Sequence, residues 1–417
     1  MRNAIMSDKG KIKLRAAGTE ERLRIVFAGD FCPTSKAETA ICAGGADAIL
    51  AKIKPYLDRA DLRVIQWETT LADTPSPILK AGPALNSPTG CVDFMLKGNF
   101  DIALLANNHI GDQGVPGVMS TLESIQKAGR LFAGVGINAV DAARPLHFER
   151  NGITVSLLNA CEEEFGGAGD NTPGANLMDA QELPDLIRGE AKNVDLVIAV
   201  LHGGHENYPL PSPRMKKLHR SFARAGAAAV VNIHTHVPLG MECYNGVPII
   251  YSPGNFFFPH RFNEYDPKSF WWSGYLPFIT FDKTGAVELE IVPYTFTEKQ
   301  IVPLQGDARR WFLEHLERLS GLLQTDCERL FDAWCAKVRE PFLNYAAAAP
   351  FRELAESYND PAILERLPVI RHLLTCQSHC DLLKNLTLMI ENHRMDCAIA
   401  DIPELDSLMD AHFEQSL

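Results

Sequence analysis

Long apolar segments are missing from this chain of 417 residues. No stretch reaches the roughly 20 apolar residues that a membrane-spanning helix needs. Residues 1–24 also lack an apolar core of the kind that a signal peptide has. We therefore expect a protein without a membrane anchor.

An excess of positive charge is missing as well. The chain has 40 Lys and Arg residues against 52 Asp and Glu residues, which gives a net charge of −12. Proteins that bind a nucleic-acid backbone carry basic patches, so we expect no nucleic-acid partner. An acidic substrate is still compatible with this charge, because a local cluster of cations can reverse the field inside a cleft.

Two further patterns are absent. The ten cysteines follow no disulfide-like spacing, which favours free thiols in a reducing compartment and predicts a cytoplasmic protein. The segments "GVGIN" and "GDFCPTSK" do not have the glycine spacing of a nucleotide-binding loop. We therefore predict neither a P-loop nor a dinucleotide-binding fold.

Strand-like and helix-like segments alternate over residues 23–300, and this alternation predicts an α/β domain. Helical periodicity prevails afterwards, which predicts a helical C-terminal region over residues 301–417. Residues 1–22 are interpreted as an N-terminal tail.

Polar residues stand at the ends of five predicted strands, where α/β sheets form their ligand sites. Each of them alone fits a cap, a turn or a surface position, but five separate strand ends rarely agree by chance. Carboxylate, amide and imidazole ligands together suit Mn, Fe, Zn or Ni rather than Ca or Mg alone. We expect one or two divalent transition-metal ions (Mn, Fe or Zn). The residues are Asp30, Glu68, Asn108 with His109, His202, and His234 with His236.

These residues lie in motifs that resemble the bacterial poly-γ-glutamate capsule-biosynthesis protein (CapA) family, a branch of the calcineurin-like metallophosphatase superfamily. The resemblance covers roughly residues 23–300 and implies a four-layer α/β/β/α sandwich, to which the C-terminal helices are an extension. The motifs are "FAGDF", "WETTL", "FDIALLANNHIGDQGVPGVMSTLESIQKAG", "LHGGHE" and "AGAAAVVNIHTHVPLGMECYNGVPIIYSPGNFFF".

The resemblance also implies how the site is divided between two ions. His109 would lie beside the metals and stabilise charge or protonate a leaving group. The first ion would be held by Asp30, Glu68 and His236, and the second by Glu68, Asn108, His202 and His234.

The sequence departs from the family pattern at several points. Cys32 stands where the superfamily often has histidine, and its thiol is either a further metal ligand or a small buried residue. Asn86 stands where the family commonly has arginine, whereas Lys80 is kept. Members usually carry a membrane anchor before the catalytic domain, and none is expected here.

Four residues form the predicted substrate-binding set. Lys80 and Arg261 are cations for an acidic substrate, with ordinary surface positions as the alternative. His205 follows His202 in a rigid loop and is expected to approach the site, and Asn255 is expected to support the metal-site loops. The three acidic residues of "CEEEFGG", Glu162–Glu164, are interpreted as a solvated loop.

The C-terminal region has cysteine and histidine pairs that resemble zinc ligands. On one straight helix, however, Cys376 and His393 would lie about 25 Å apart, so the pairs 376/380 and 393/397 could not share an ion. Core or interface cysteines are the interpretation we favour. The region itself is expected to form a lid over the cleft or a homodimer interface.

Three functions remain open at this stage. The first is a metal-dependent hydrolase whose metal-bound hydroxide attacks a phosphoester or amide-type bond of an acidic small molecule or peptide. The second is a poly-γ-glutamate (capsule) biosynthesis factor that binds a γ-glutamyl chain and a ligase partner. The third is a secondary-metabolism enzyme that uses the same metal site.

Overall fold

The computed structural model describes residues 10–259 and 265–413. These residues form seventeen strands: β1 (Lys11–Lys13), β2 (Leu23–Phe31), β3 (Leu62–Trp67), β4 (Ile102–Leu104), β5 (Leu131–Ala133), β6 (Val135–Gly136), β7 (Leu146–Arg150), β8 (Ile153–Cys161), β9 (Gly174–Ala175), β10 (Leu196–His202), β11 (Ala229–Ile233), β12 (Met241–Tyr244), β13 (Val247–Ile250), β14 (Asn255–Phe257), β15 (Ser273–Asp282), β16 (Gly285–Thr297) and β17 (Gln300–Pro303).

The same residues form sixteen α-helices: α1 (Lys36–Ala40), α2 (Ala46–Leu50), α3 (Lys54–Leu57), α4 (Asp93–Lys97), α5 (Gly114–Lys127), α6 (Ala139–Ala142), α7 (Glu182–Glu190), α8 (Pro213–Ala225), α9 (Gly306–Thr325), α10 (Cys327–Ala347), α11 (Phe351–Glu356), α12 (Pro361–Leu364), α13 (Leu367–Thr375), α14 (Gln377–Glu391), α15 (Met395–Ala400) and α16 (Ile402–Asp406). A π-helical turn spans Ile41–Gly45, and 3₁₀ turns span Thr89–Val92 and Phe270–Trp272.

Two mixed sheets form the centre of the molecule. The larger has the order β1-β16-β15-β2-β3-β4-β5, with β14 beside β2 and β17 beside β16, and the smaller has the order β12-β13-β11-β10-β8-β7. Strands β2 to β5 run parallel, as do β8, β10, β11 and β13. The parallel strands of each sheet therefore end at a common edge.

The larger sheet contributes to two different cores because successive side chains of a strand point to opposite faces. Ile25 and Phe27 of β2 belong to a core that also contains Leu157 and Ile198 of the smaller sheet. Val26 and Ala28 belong to the other core, with residues of helices α2, α4 and α5. Helices, two sheets and helices thus follow one another, and the expected α/β sandwich class is confirmed.

Helix α8 shows how local sequence positions an element of the outer layer. The Ser212 hydroxyl caps it by accepting from Met215 N, and Pro213 occupies its first turn. Gly226 ends it with a left-handed φ of 116°, which glycine adopts without a Cβ penalty. The chain then enters β11, whose five residues are all buried.

The C-terminal helical region is confirmed as well, and it packs on the α/β part. Phe312 and Leu316 of α9 and Leu330 of α10 share a core with residues of both sheets. Among the described residues, no helix combines the length and the apolar character needed to cross a bilayer.

Candidate metal centre

The metal-ligand residues expected from the sequence meet where strands of both sheets end. Asp30 is the penultimate residue of β2, and Glu68 directly follows β3. His202 is the last residue of β10, whereas His234 and His236 follow β11. All five are buried, so the two sheets together enclose one polar site.

One group of donors contains Asp30, Glu68 and His236, whose ligand atoms lie within 4.8 Å of one another. His236 Nδ1 lies 3.5 Å from Asp30 Oδ2 and 3.8 Å from Glu68 Oε2. Two carboxylates and one imidazole therefore surround a common point, as the ligands of a divalent ion do.

A second group contains Glu68, His202 and His234, again within 4.8 Å. His202 Nε2 lies 3.5 Å from Glu68 Oε1 and 3.0 Å from Asn108 Oδ1. His234 Nδ1 lies 3.1 Å from the same His202 nitrogen. Glu68 belongs to both groups, which is the position that a bridging carboxylate requires.

Buried atoms without hydrogen bonds test whether the site fits metal ions. Among the described residues, Asp30 Oδ1, both Glu68 carboxylate oxygens and His202 Nδ1 are buried and accept or donate no hydrogen bond. Such atoms are costly unless an ion satisfies them. Burial and the nearby Asp30 charge raise the pKa of Glu68 well above its usual range, a repulsion that divalent cations would relieve. The donor set therefore fits one or two such ions.

The neutral state of the His202 imidazole points the same way. Burial, together with the neighbouring histidines His234 and His236, lowers the pKa of His202 well below its usual range. A neutral imidazole has the free lone pair that a metal ligand needs.

The backbone around the histidine pair is strained. His234 has φ 108° and His236 has φ 62°, in the left-handed region that residues with a Cβ rarely occupy. Opposite them, a Cβ on Gly29 would lie 1.7 Å from Gly254 O, so only glycine permits β14 to approach β2. Strain and close approach of this kind are typical of functional sites.

His109 is held by a buried carboxylate rather than grouped with the metal ligands. Its Nδ1 lies 2.6 Å from Asp112 Oδ2, and Lys80 Nζ donates to Asp112 Oδ1 at 2.6 Å. Leu85 N also donates to this carboxylate. Because Asp112 binds Nδ1, the Nε2 atom is the nitrogen that His109 has left for a substrate.

The residues of the predicted substrate set occupy different surroundings. Lys80 is almost entirely buried, with 3% of its side chain exposed. Its ammonium pairs with Asp112, and Asp112 in turn contacts His109. His205 Nε2 lies 3.4 Å from Asp381 Oδ2 and its ring packs on Phe331. It is therefore turned toward the C-terminal helices rather than grouped with the metal ligands.

Asn255 contacts a metal-ligand residue directly. Its Oδ1 lies 2.9 Å from His236 Nδ1, and its amide donates to Trp271 O. Asn255 thus contacts the same His236 nitrogen that faces Asp30 and Glu68. Arg261 lies outside the described residues.

The two positions that depart from the family pattern are not among the grouped metal ligands. Cys32 packs with Leu85 and Phe258, and no group of three converging donors among the described residues includes it. Burial and the charge of Glu68 raise the pKa of its thiol well above the usual range. Asn86 donates to Ala72 O and thereby fastens its own loop.

Glu164 is a site residue that sequence reasoning missed. The interpretation of Glu162–Glu164 as a solvated loop holds for Glu163 and is wrong for its two neighbours. Only 14% of the Glu164 side chain is exposed, and its Oε1 lies 3.9 Å from His234 Nε2. Asn108 Nδ2 donates to its Oε2 at 3.4 Å. Burial opposes ionisation, but His372 and His234 lower the pKa of Glu164 well below its usual range.

The C-terminal helices bring a second unexpected residue to this region. The exposed guanidinium of Arg371 lies over the Phe165 ring, 4.8 Å from its centroid. Lys80 Nζ lies 5.4 Å from the same ring. The sequence alone does not indicate either contact, because Lys80, Phe165 and Arg371 are far apart along the chain.

Comparisons with known proteins agree with the motifs. The family model described as "Bacterial capsule synthesis protein PGA_cap" matches residues 24–260. "PGA biosynthesis protein CapA" of Bacillus subtilis (strain 168) is 27% identical over 295 residues, which cover 70% of this chain and 76% of that protein. "Capsule biosynthesis protein CapA" of Bacillus anthracis is 29% identical over 248 residues, which cover 57% of this chain and 60% of that protein.

Solved structures give a weaker comparison. A hypothetical protein from Thermus thermophilus has 13% sequence identity, a TM-score of 0.40, and coverage of 66% of this chain and 100% of its own.

Proposed function

The chain belongs to the PGA_cap family of bacterial capsule synthesis proteins, and on this premise we propose that it is a metal-dependent hydrolase. Its substrate is an acidic small molecule or peptide, and the bond cleaved is a phosphoester or an amide-type bond. The family relation to capsule and poly-γ-glutamate biosynthesis favours γ-glutamyl compounds as the acidic group.

The observation that carries this proposal is the set of buried donors without hydrogen bonds, with Glu68 shared between two ligand groups. Divalent ions bound there would act as Lewis acids and lower the pKa of water. Asp30 and His236 would hold one ion, and Asn108, His202 and His234 the other, with Glu68 common to both. We propose Mn, Fe or Zn because the donors combine carboxylate, amide and imidazole.

His109 is the proton donor of the proposed reaction. The short contact with Asp112 orients its ring, and the Lys80–Asp112 ion pair holds that carboxylate in place. His109 Nε2 would deliver its proton to the leaving group.

Arg371 is the cation that we propose for binding the acidic part of the substrate. The Lys80 ammonium already forms an ion pair with Asp112, and the Asn86 side chain is uncharged. Arg371 is exposed beside Phe165, and Phe165 follows the site residue Glu164. Arginine suits this role because its planar group pairs with carboxylates and phosphates.

The direct test combines metal analysis with turnover. The purified full chain is loaded with Mn, Fe or Zn and assayed on p-nitrophenyl phosphate and on γ-glutamyl-p-nitroanilide. We expect metal-dependent turnover of one class, and its loss in Asp30→Asn and His234→Ala. Absence of turnover of both classes by the loaded protein, or full activity in both variants, would overturn the proposal.

The second candidate is a biosynthesis factor that binds a γ-glutamyl chain and a ligase without hydrolysing anything. The names of the two Bacillus relatives favour it. It predicts that the isolated chain binds oligo-γ-glutamate, by calorimetry, and leaves it intact. A secondary-metabolism enzyme that uses the same metal site would instead turn over neither γ-glutamyl compounds nor simple phosphoesters.

Two further expectations are proposals. A cytoplasmic location agrees with the ten cysteines, which are all unpaired. A homodimer through the C-terminal helices agrees with the large apolar side chains exposed there, among them Leu374, Leu383 and Ile390. Light scattering on the purified protein would determine the oligomeric state.

A further inference from the structure

A second cluster of metal-ligating side chains lies at the junction of α13 and α14. Cys376 ends α13 and is also the N-terminal capping residue of α14, with extended backbone (φ −67°, ψ 112°). This break turns the two helices so that His372 and His379 meet across it. The ligand atoms of His372, Cys376 and His379 lie within 4.8 Å of one another.

His372 is oriented by a neighbour in the way that metal-binding histidines are. Its Nδ1 lies 2.8 Å from the Tyr345 hydroxyl, which leaves Nε2 as the free nitrogen. That nitrogen lies 3.5 Å from Glu164 Oε2. Two ligands at about 2.0–2.1 Å from a tetrahedral zinc are separated by about 3.4 Å, so the spacing matches one edge of such a shell.

The other two donor residues, His379 and Cys376, are largely shielded from solvent. His379 Nδ1 is buried and has no hydrogen-bond partner among the described residues. Cys376 is 5% exposed. A buried imidazole nitrogen without a hydrogen bond is costly unless something binds it.

We propose that His372, Cys376 and His379, together with the Glu164 carboxylate, bind a divalent transition-metal ion of the zinc type. Two nitrogens, one sulfur and one oxygen form a donor set that suits zinc, with borderline and soft ligands in four positions. Calcium and magnesium are disfavoured because only one of the donors is a hard oxygen.

The proposed ion lies next to the metal centre at the strand ends, which is called the main centre below. It shares none of the strand-end ligands of that centre. Glu164 Oε2 faces His372, while its Oε1 faces His234 at 3.9 Å. One carboxylate thus connects the C-terminal helices to the wall of the main centre. The site does not depend on the hydrolytic activity proposed above.

Cobalt substitution tests this site specifically, because a thiolate bound to Co²⁺ gives a charge-transfer absorption that oxygen and nitrogen ligands do not give. The full chain is loaded with Co²⁺ or Zn²⁺, and metal content is measured in parallel. Cys376→Ser and His379→Gln should each lose one equivalent of metal, and Cys376→Ser should lose the charge-transfer band. Cys380→Ser, a change at an exposed neighbour in α14, should retain both.

Two variants separate this site from the main centre. Asp30→Asn should lose metal from the main centre and keep the thiolate band. Cys32→Ser should also keep the charge-transfer band. If Cys32→Ser loses this band, the thiolate that binds Co²⁺ belongs to the main centre instead. Unchanged metal content in both Cys376→Ser and His379→Gln, with circular dichroism showing a folded protein, would overturn the proposal. If Cys376→Ser does not fold, the His379→Gln metal content decides.

Discussion

His109 Nδ1 lies 2.6 Å from Asp112 Oδ2, and the other oxygen of that carboxylate accepts from Lys80 at the same distance. This arrangement orients the His109 ring, and the Lys80 ammonium holds the Asp112 carboxylate in place. The three groups form one unit although Lys80 comes from a separate loop.

We expect His109→Gln to lower kcat about 10²- to 10⁴-fold, because a positioned proton donor contributes on that scale. Metal content should stay unchanged, since His109 is not in the ligand groups. Steady-state kinetics and metal analysis on the same preparation measure both. Asp112→Asn should lower kcat as well, because it removes the carboxylate that orients the His109 ring. Wild-type rates in both variants would contradict the role of His109.

Glu68→Gln should release metal from both ligand groups of the main centre, because Glu68 is the residue that they share. The amide lacks the charge that holds two cations together. Metal content of the dialysed protein measures the effect. Glu163→Gln is the matched control, since Glu163 is an exposed glutamate near the site, and it should bind as much metal as wild type. Full metal content in Glu68→Gln would exclude the shared position.

Arg371→Ala should raise KM for the acidic substrate up to about fivefold and leave kcat nearly unchanged, the effect of losing one exposed ion pair. Arg352→Ala removes another exposed arginine of the C-terminal region and should leave both constants as they are. Equal effects of the two variants would mean that Arg371 acts only through the overall charge.

The stability of the protein should decrease in mild acid, in part through His315. Burial, with the charges of Arg318 and His412, lowers the pKa of His315 to about 4, whereas in the unfolded chain it lies at about 6.5. The unfolded state therefore binds more protons between these values, and stability is lost as pH falls through this window. At pH 5 the loss amounts to about 2 kcal/mol.

The variant His315→Phe isolates this contribution. Its ring would keep the stacking on Trp311 and Phe270 without a group that titrates. Urea unfolding at pH 8 and at pH 5 gives the free energy of unfolding at each pH. From pH 8 to pH 5, this free energy should fall by about 2 kcal/mol less in His315→Phe than in wild type. Equal decreases in both proteins would show that His315 is charged in the folded state or contributes nothing.

The main centre was predictable because its chemistry lies at strand ends. Asp30, Glu68 and His202 each follow an apolar run, and parallel strands bring their carboxyl ends together. Sequence periodicity also predicted the C-terminal helices. These features depend on local patterns and on a general rule of sheet geometry, so one sequence was enough to expect them.

The rest depended on contacts between distant segments. Lys80 is paired with Asp112 because a loop folds over the site, and Glu164 is enclosed by His234 and His372 from two separate regions. The sequence predicted a helical C-terminal region, but only the structure shows that α13 ends and α14 begins at Cys376. Tertiary packing overrides helix propensity at such a point.

The sequence by itself therefore determined the family, the α/β class and the residues at the strand ends, because each is encoded in local motifs. Only the tertiary structure decided which charges are neutralised and which polar atoms are free to bind. That outcome depends on burial and on partners far away in the chain. Lys80 is neutralised by Asp112, whereas His379 Nδ1 has no hydrogen bond within the described part of the chain.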